Sequence, residues 1–500
     1  MTEPLVPIKR TGIILAPNKQ RVVLRPFRPP GQDRVLRVIG RVCTLSEPEV
    51  DQELSHVLEE FHGRHQKPKA FFERRFQDLK HHLLTDTELT ENRRLLLGAY
   101  FTQEYALESA ALFNPSLVWH PDQTNLSSGS RRFAMSLRAV GEGHISSIVF
   151  RSGTISSDLK IAIDEPVRFV TTPRFVPDSC YDNDLFRRKL IELGLGNTFT
   201  YDVLQTLSEA FTLDQLETRL KASLREHRSH HDELAPLVER VVMLAKSNYE
   251  IQYTSDQELS ERLIFPFGPT ESNGIEDARF VRFQEDDGTH RYYATYSAYD
   301  GQLVLPQLLE TKDFLRFKMH TLNGPAVSNK GMALFPRKIN GHYAMLGRQD
   351  GEHLYLMYSD MLYFWHTSEL IIKPASPWEY VQMGNCGSPI ETEAGWLVLT
   401  HGVGPMRKYC IGAMLLDLDD PSQTIARLRE PLITPNETER EGYVPNVVYS
   451  CGAIVHQEHL VIPYAMSDYA TTFATIEVSE LLDAMLGNKS STIGTRVIKK

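Results

Sequence analysis

The chain has 500 residues, of which 41% are hydrophobic, 24% charged and 9% aromatic, the profile of a folded protein of two or three domains rather than a disordered or collagenous one. Acidic residues outnumber basic ones by 64 to 54, for a net charge of −10, so the basic excess that a nucleic acid backbone demands is absent. No run approaches the roughly eighteen apolar residues of a membrane helix, and the opening MTEPLVPIKRTGIILAP lacks a basic region followed by an apolar stretch and a cleavage site, which predicts a cytoplasmic protein with no nucleic acid and no membrane as partner.

In chain order, the stretch from Leu5 to Val42 reads as irregular extended structure, because β-type runs such as Arg21–Leu24 are interrupted by Pro26, Pro29 and Pro30. Ser46 followed by Glu49, with Pro48 in the first turn, predicts a helix start, and Val50, Leu54, Val57, Leu58 and Phe61 continue at helical spacing. Helical pattern then runs from Ala70 to about Ala111. Residues 1–108 are therefore expected to form an α-rich N-terminal accessory region. Strand texture begins after Phe113, with Arg132–Arg138 and Ser147–Phe150 as strands. It is broken by a helical insertion over about 184–246, where Leu213, Leu216, Leu220 and Leu224 share one face and Leu237, Val241 and Leu244 another. From Gly274 to Leu482 strands resume, with hairpin turns expected at Asp287-Gly288, Asn340-Gly341 and Ala394-Gly395. Similar unit starts fall at Asp277, Lys330, Ser388 and Asn446, roughly 50 to 60 residues apart, and Asn114 begins an earlier one. Five such units predict an all-β fold, a five-bladed β-propeller over 109–485, with a C-terminal tail over 486–500. A β-sandwich is the competing architecture. The cysteines at 43, 180, 386, 410 and 451 are odd in number with no CxxC pair, which predicts free buried thiols.

A propeller gathers the inner strands of all its blades around one axis, so polar residues at the unit starts converge there. The candidates are Asn114 and Arg138; Glu276, Asp277 and Arg279; Lys330 and Arg348; His401 and Tyr409; and Asp468. In GIEDARF the side chains of Glu276 and Asp277 should point to opposite faces of a strand, so only one is expected to face the site and the other to pair locally, with Arg279. A hairpin brings Lys330 near Arg348, and two adjacent cations call for an anion, phosphate or carboxylate. His401 and Tyr409 can both donate hydrogen bonds to an oxyanion or a sugar hydroxyl. Asp468 can hold a hydroxyl pair or cap a turn. His227, His230, His231 and Asp232 cluster in the insertion, but among neighbouring charges they read as a solvated face, and no metal site is expected. No phosphate-binding loop of the GxxxxGK type, GxGxxG, GxSxG or HExxH motif occurs.

The strings GIEDARF, NKGMALFPRKINGHYAMLGR, GSPIETEAGWLVLTHGV and YCIGAMLLDLDDPSQTIARLREPLITP follow one another in an order that resembles glycoside hydrolase family 130. The resemblance spans about Asn114 to Leu482 without the insertion. It implies a five-bladed propeller and an inverting glycosyltransferase-type phosphorylase that converts a β-mannosyl oligosaccharide and inorganic phosphate into α-mannose 1-phosphate and a shortened acceptor. No cofactor is implied beyond phosphate as co-substrate, and self-association is an expectation. By motif, Asp277 matches the general acid, with Ala278 in place of the usual proline, and the resemblance implies that its proton travels through the 3-hydroxyl of the mannose. Asn114, Arg138, Glu276 and Asp468 match sugar-binding positions; Lys330, Arg348, His401 and Tyr409 match phosphate-binding ones. Lys330 stands where an arginine is frequent, Gly331 where an asparagine is, and Gln382 where a lysine usually touches phosphate. An inverting β-mannosidase is the runner-up. It needs a second carboxylate to activate water, for which Glu391 and Glu441 are the candidates. A non-catalytic carbohydrate-binding propeller is the alternative from another class.

Overall fold

The computed structural model describes residues 7–83, 87–176 and 180–487, so the tail read from 486 onward lies, after its first two residues, outside the described residues. Antiparallel strands carry the architecture, and two helical regions stand beside them, so the chain is not purely all-β. The first region holds α1 (Gln32–Thr44), α2 (Glu47–Glu60), α3 (Pro68–Leu79) and α4 (Glu91–Tyr100). Helix α1 falls within the stretch whose prolines predict extended structure: those prolines end before it, and Val35, Ile39 and Val42 recur at helical spacing to enter the core of this region. At α2 the Ser46 backbone N–H donates to the Glu49 carboxylate at 2.7 Å, as the capping pattern predicts.

The helical pattern from Ala70 does not persist to Ala111. It breaks between α3 and α4 and stops at Tyr100, after which Thr102–Ala106 is a strand paired with Val22–Pro26. Gly98 explains the close packing of the two helices, since a Cβ there would lie 2.0 Å from the Phe72 carbonyl oxygen. The residues expected as one accessory region also divide, because Lys9–Arg10 pairs with Ala474 and Thr475 at the edge of the last sheet. Within the insertion stand α5 (Asn183–Glu192), α6 (Thr198–Gln205), α7 (Leu213–Glu226) and α8 (His231–Lys246). A two-stranded antiparallel sheet of Cys180–Asp182 with Ala210–Thr212, the strands on either side of α5 and α6 in the chain, joins them, around a core of their own.

Among the described residues five antiparallel sheets of four to six strands follow one another along the chain, beside two smaller two-stranded ones. One edge strand of each of the five is Ala111–Trp119, Ile275–Gln284, Ala333–Leu334, Gln382–Asn385 and Val448–Tyr449, respectively. The two faces of each sheet enter different cores, as the alternation of strand side chains requires. In the fourth sheet Trp396 and Val398 pack with Phe335, Leu346 and Leu356 of the third, whereas Leu397 and Leu399 pack with Leu460 and Ile462 of the fifth. Phe280 joins Phe150 of the first sheet, and Val281 and Phe283 join Leu334 and Met345 of the third. The last pairing is between the ends of the series: Leu117, Met135 and Val149 of the first sheet share a core with Val461 and Phe473 of the fifth. Each sheet thus meets the next, and the fifth meets the first.

The hairpin at Asn340-Gly341 has both residues at positive φ, 50° and 85°, which matches the twist of its flanking strands. The cysteines form no disulfide; Cys386, Cys410 and Cys451 are buried, whereas Cys180 is exposed, against the expectation of burial. Among the described residues no helix is long and apolar enough to cross a membrane.

Candidate active site

Asn114 lies within Ala111–Trp119 and Asp277 near the start of Ile275–Gln284, each an edge strand of its sheet, and both lie in the left-handed region, at φ 49° and 54°. Each sits in a β-bulge, between Phe113 and Ser116 in the first sheet and between Glu276 and Arg279 in the second. A bulge inserts an extra residue and re-aims side chains. It overturns the expectation that only one of the two carboxylates faces the site. Arg138 donates through Nη2 to Glu276 Oε1 at 2.7 Å, and its Nη1 lies 3.5 Å from Asp277 Oδ1. Asp277 Oδ1 also accepts from Asn114 Nδ2 at 2.6 Å. Glu276 is not the local partner of Arg279 either. Buried at 3% exposure, Arg279 donates to the Asp277 backbone carbonyl at 3.0 Å and to the Tyr449 hydroxyl at 2.6 Å. Tyr449 belongs to no sequence motif, and its one signal is its place three residues after Asn446, one of the unit starts.

The electrostatics follow from this crowding. Burial pushes the Asp277 carboxyl up, but Arg138, Arg279 and Lys330 together outweigh it and hold Asp277 below the ordinary carboxylate range. Burial would lower Arg138, yet Glu276, Asp277 and Asp468 keep it above its usual value. Asp468, in a turn at φ 49°, is pushed up to about 6, by burial first and then by the charge of Asp277.

The anion-seeking residues gather near Asp277, which feels the charge of Lys330 and acts on His401. Lys330 Nζ lies 3.3 Å from Glu276 Oε2, so part of its charge is already met. Arg348 Nη1 lies 3.1 Å from His401 Nε2, and His401 Nδ1 lies 3.1 Å from the Asn385 carbonyl oxygen. A carbonyl only accepts, so Nδ1 carries the hydrogen and Nε2 is left to accept from Arg348. Burial, reinforced by Arg348 and Arg279, drives the His401 pKa well below its ordinary value. His401 is therefore a neutral orienter of Arg348 rather than the donor to an anion that its position predicts. Its ring stacks 6.1 Å from that of Tyr409, and the Tyr409 hydroxyl accepts from Gln382 Nε2 at 3.3 Å. Gly331 has φ 90°, a conformation that glycine and asparagine tolerate best.

Asn114 Oδ1 and the Nε atoms of Arg138, Arg279 and Arg348 are buried without a hydrogen-bond partner in the protein. One unmatched acceptor and three unmatched donors in one polar cluster suit a ligand with hydroxyls and negative charge.

The two carboxylates considered for water activation are placed otherwise. Glu391 is held by Arg337 through two contacts of 2.8 and 2.7 Å. It pairs with Trp396 at the opposite end of the strand that carries His401, about 16 Å away at the rise of a strand. Glu441 is exposed on the loop before the last sheet. His227, His230 and His231 stand exposed at the α7–α8 junction, and among the described residues no three metal-ligating side chains are grouped.

The raised Asp468 pKa carries a stability consequence. A folded-state value near 6 against an ordinary carboxyl value near 4 means that ionisation costs the folded state. That cost is absent below about pH 4, grows as pH rises, and is complete above about pH 6. Asp468→Asn is therefore expected to raise the melting temperature near pH 7.5 and to leave it unchanged near pH 4, as thermal scans across that range would read. Equal shifts at both pH values would refute the assignment.

Residues 226–486 match a family model described as beta-1,4-mannooligosaccharide phosphorylase. A 1,2-beta-oligomannan phosphorylase of Thermoanaerobacter sp. is 36% identical over 219 residues, 42% of this chain and 71% of that protein. A beta-1,2-mannobiose phosphorylase of Listeria innocua is 31% identical over 249 residues, 48% of this chain and 67% of its own. The solved complex of a Listeria innocua beta-1,2-mannobiose phosphorylase with beta-1,2-mannobiose covers 75% of this chain and 92% of its own, at 22% identity and a TM-score of 0.45.

Proposed function

The chain belongs to glycoside hydrolase family 130, and from that premise we propose that it is an inverting phosphorylase of β-mannosides, transferring a mannosyl group from an oligosaccharide to inorganic phosphate. The observation that carries this reading is the arrangement of Asp277, hydrogen-bonded by Asn114 and set among Arg138, Arg279 and Lys330, beside the Arg348–Tyr409 group.

The chemistry requires one acid and one anion. A phosphate oxygen attacks the anomeric carbon from the face opposite the glycosidic bond; the C1–O(phosphate) bond forms as the C1–O(acceptor) bond breaks, and the departing oxygen takes the proton of the mannose 3-hydroxyl, which is replaced by the proton of Asp277. Phosphate needs no base to become a nucleophile, so a second catalytic carboxylate is unnecessary. Asp277 ionises readily because Arg138, Arg279 and Lys330 act on it together. A bound phosphate offsets the field of those cations and raises the Asp277 pKa, so the acid is charged with its proton when the nucleophile is present. Asn114, Arg138, Glu276 and Asp468 hold the mannosyl ring in this scheme, and Lys330, Arg348 and Tyr409 hold phosphate, with His401 fixing Arg348. The paired role of Glu391 and the exposed position of Glu441 favour phosphorolysis over hydrolysis.

We read the five sheets as blades of a β-propeller spanning about 109–485, with residues to 108 as an accessory region and α5–α8 as an insertion. The support is the cycle of shared cores, in which every sheet meets its neighbours and the last meets the first. The test of function is to incubate the protein with β-1,2- and β-1,4-linked mannobiose, with and without phosphate. Mannose 1-phosphate is expected only when phosphate is present; free mannose formed at the same rate without phosphate would sink the reading in favour of hydrolysis.

A further inference from the structure

We propose that Arg407 is an additional ligand of the phosphate, completing from the rim the group formed by Lys330, Arg348 and Tyr409. The inference rests on the phosphorolytic reading above and adds to it a residue that no motif singles out.

Arg407 lies in the hairpin loop between strands Gly395–Val403 and Tyr409–Leu416 of the fourth sheet. The loop turns through Met406 and Arg407, two consecutive non-glycine residues in the left-handed region at φ 59° and 54°. Successive positive-φ residues suit the tight turn of a hairpin and the twist of its flanking strands, and Met406 at the tip is 90% exposed. The result of the turn is that the Arg407 guanidinium folds back over the Tyr409 ring, with Cζ 5.8 Å from its centroid. Gln382 reaches the hydroxyl of the same tyrosine at 3.3 Å. Arg407 and Gln382 therefore approach the Tyr409 end of the site from two different chain segments, and of the two only Arg407 brings charge.

Charge gives the second argument. Arg407 is among the cations whose field reaches the buried Asp468 carboxyl, so a guanidinium on this loop acts on the same polar cluster that phosphate, with about 1.5 to 2 negative charges at pH 7, would join. Among the described residues no carboxylate neutralises Arg407 at ion-pair distance. A planar guanidinium beside a phenol hydroxyl offers phosphate a fork of donors next to a single donor.

The experiment compares the wild type with Arg407→Ala, Arg407→Lys, Gln382→Lys and the double variant Arg407→Ala/Gln382→Lys, varying phosphate at saturating β-1,2-mannobiose and the reverse. Arg407→Ala is expected to raise KM for phosphate about tenfold, equivalent to ~1.4 kcal/mol, with KM for the disaccharide within about twofold. Arg407→Lys should fall between. Gln382→Lys should recover most of the loss in the double variant, because it returns a cation to the Tyr409 hydroxyl from the other side. A rise confined to the KM for disaccharide would overturn the proposal and make Arg407 a sugar ligand, and unchanged constants would make it a solvated side chain. Titration calorimetry with inorganic phosphate alone separates this inference from the reading beneath it. If the wild type bound phosphate without phosphorolysis, weaker binding by Arg407→Ala would still support the site, and equal binding would overturn it.

Discussion

Asp277→Asn is expected to lower turnover of β-1,2-mannobiose by about 10²–10⁴-fold, the range that a positioned general acid contributes. The substitution suits the site. Asparagine tolerates the left-handed backbone found here at φ 54°, and its side-chain oxygen can still accept from Asn114 Nδ2, which lies 2.6 Å from Asp277 Oδ1. It cannot deliver a proton to the departing oxygen. Since the sugar is held by neighbouring groups, KM should change little, the pattern of an interaction made in the transition state rather than the ground state. The decisive comparison uses an aryl β-mannoside whose leaving group needs no protonation. The deficit of Asp277→Asn should shrink by at least about tenfold on that substrate, because acid assistance no longer limits the step. An equal deficit on both substrates would mean that Asp277 maintains the architecture of the site and is not its acid. Unchanged turnover on mannobiose would point instead to a sugar-binding protein without catalysis.

The largest expected loss of stability is at Glu108. Its carboxylate is fully buried and takes Arg21 Nε at 3.0 Å and Arg151 Nη2 at 2.8 and 2.9 Å. Arg21 continues to the Val167 carbonyl at 2.6 Å and the Ser260 carbonyl at 2.5 Å. One cluster thus ties the segment before the helices, the first sheet and the chain entering and leaving the insertion. Burial, and next the nearby charge of Arg151, pull the Arg21 guanidinium down to about 10 even with Glu108 opposing them, so removal of the carboxylate charge leaves two buried cations with less to hold them. Glu108→Gln keeps the shape and removes the charge. Breaking a buried pair by neutralising one partner costs roughly 3–5 kcal/mol, to be read as a lower urea midpoint. The contrast is Asp184→Asn, which breaks an exposed pair with Arg187 at 3.0 Å and should cost at most about 1 kcal/mol. Equal effects from the two substitutions would show that the Glu108 cluster contributes nothing special.

Local pattern and tertiary structure divide along a physical line. Alternation and turn chemistry are properties of a few adjacent residues, so the succession of strands, the Asn340-Gly341 turn, the capped start of α2 and the helical insertion are legible in the chain. The spacing of polar residues at the unit starts likewise points to Asn114, Asp277 and Lys330 without any geometry. Helix α1 is obscured by the prolines ahead of it, although its apolar spacing is present, and α4 ends early because Tyr100 gives way to a strand whose partner is Val22–Pro26, far back in the chain. Strict alternation sends Glu276 and Asp277 to opposite faces; the bulge and the positive φ that bring both to Arg138 are held by side chains from another sheet. The same holds for the proton on His401, which is placed by Asn385 and Arg348, and for Glu391, whose partner is Arg337, more than fifty residues earlier in the chain. The amino-acid sequence by itself determined the period of the strands and the kinds of charge available. Only the tertiary structure decided which charges face each other, because facing is set by residues brought together from distant parts of the chain, and it is that facing that fixes protonation, orientation and chemistry.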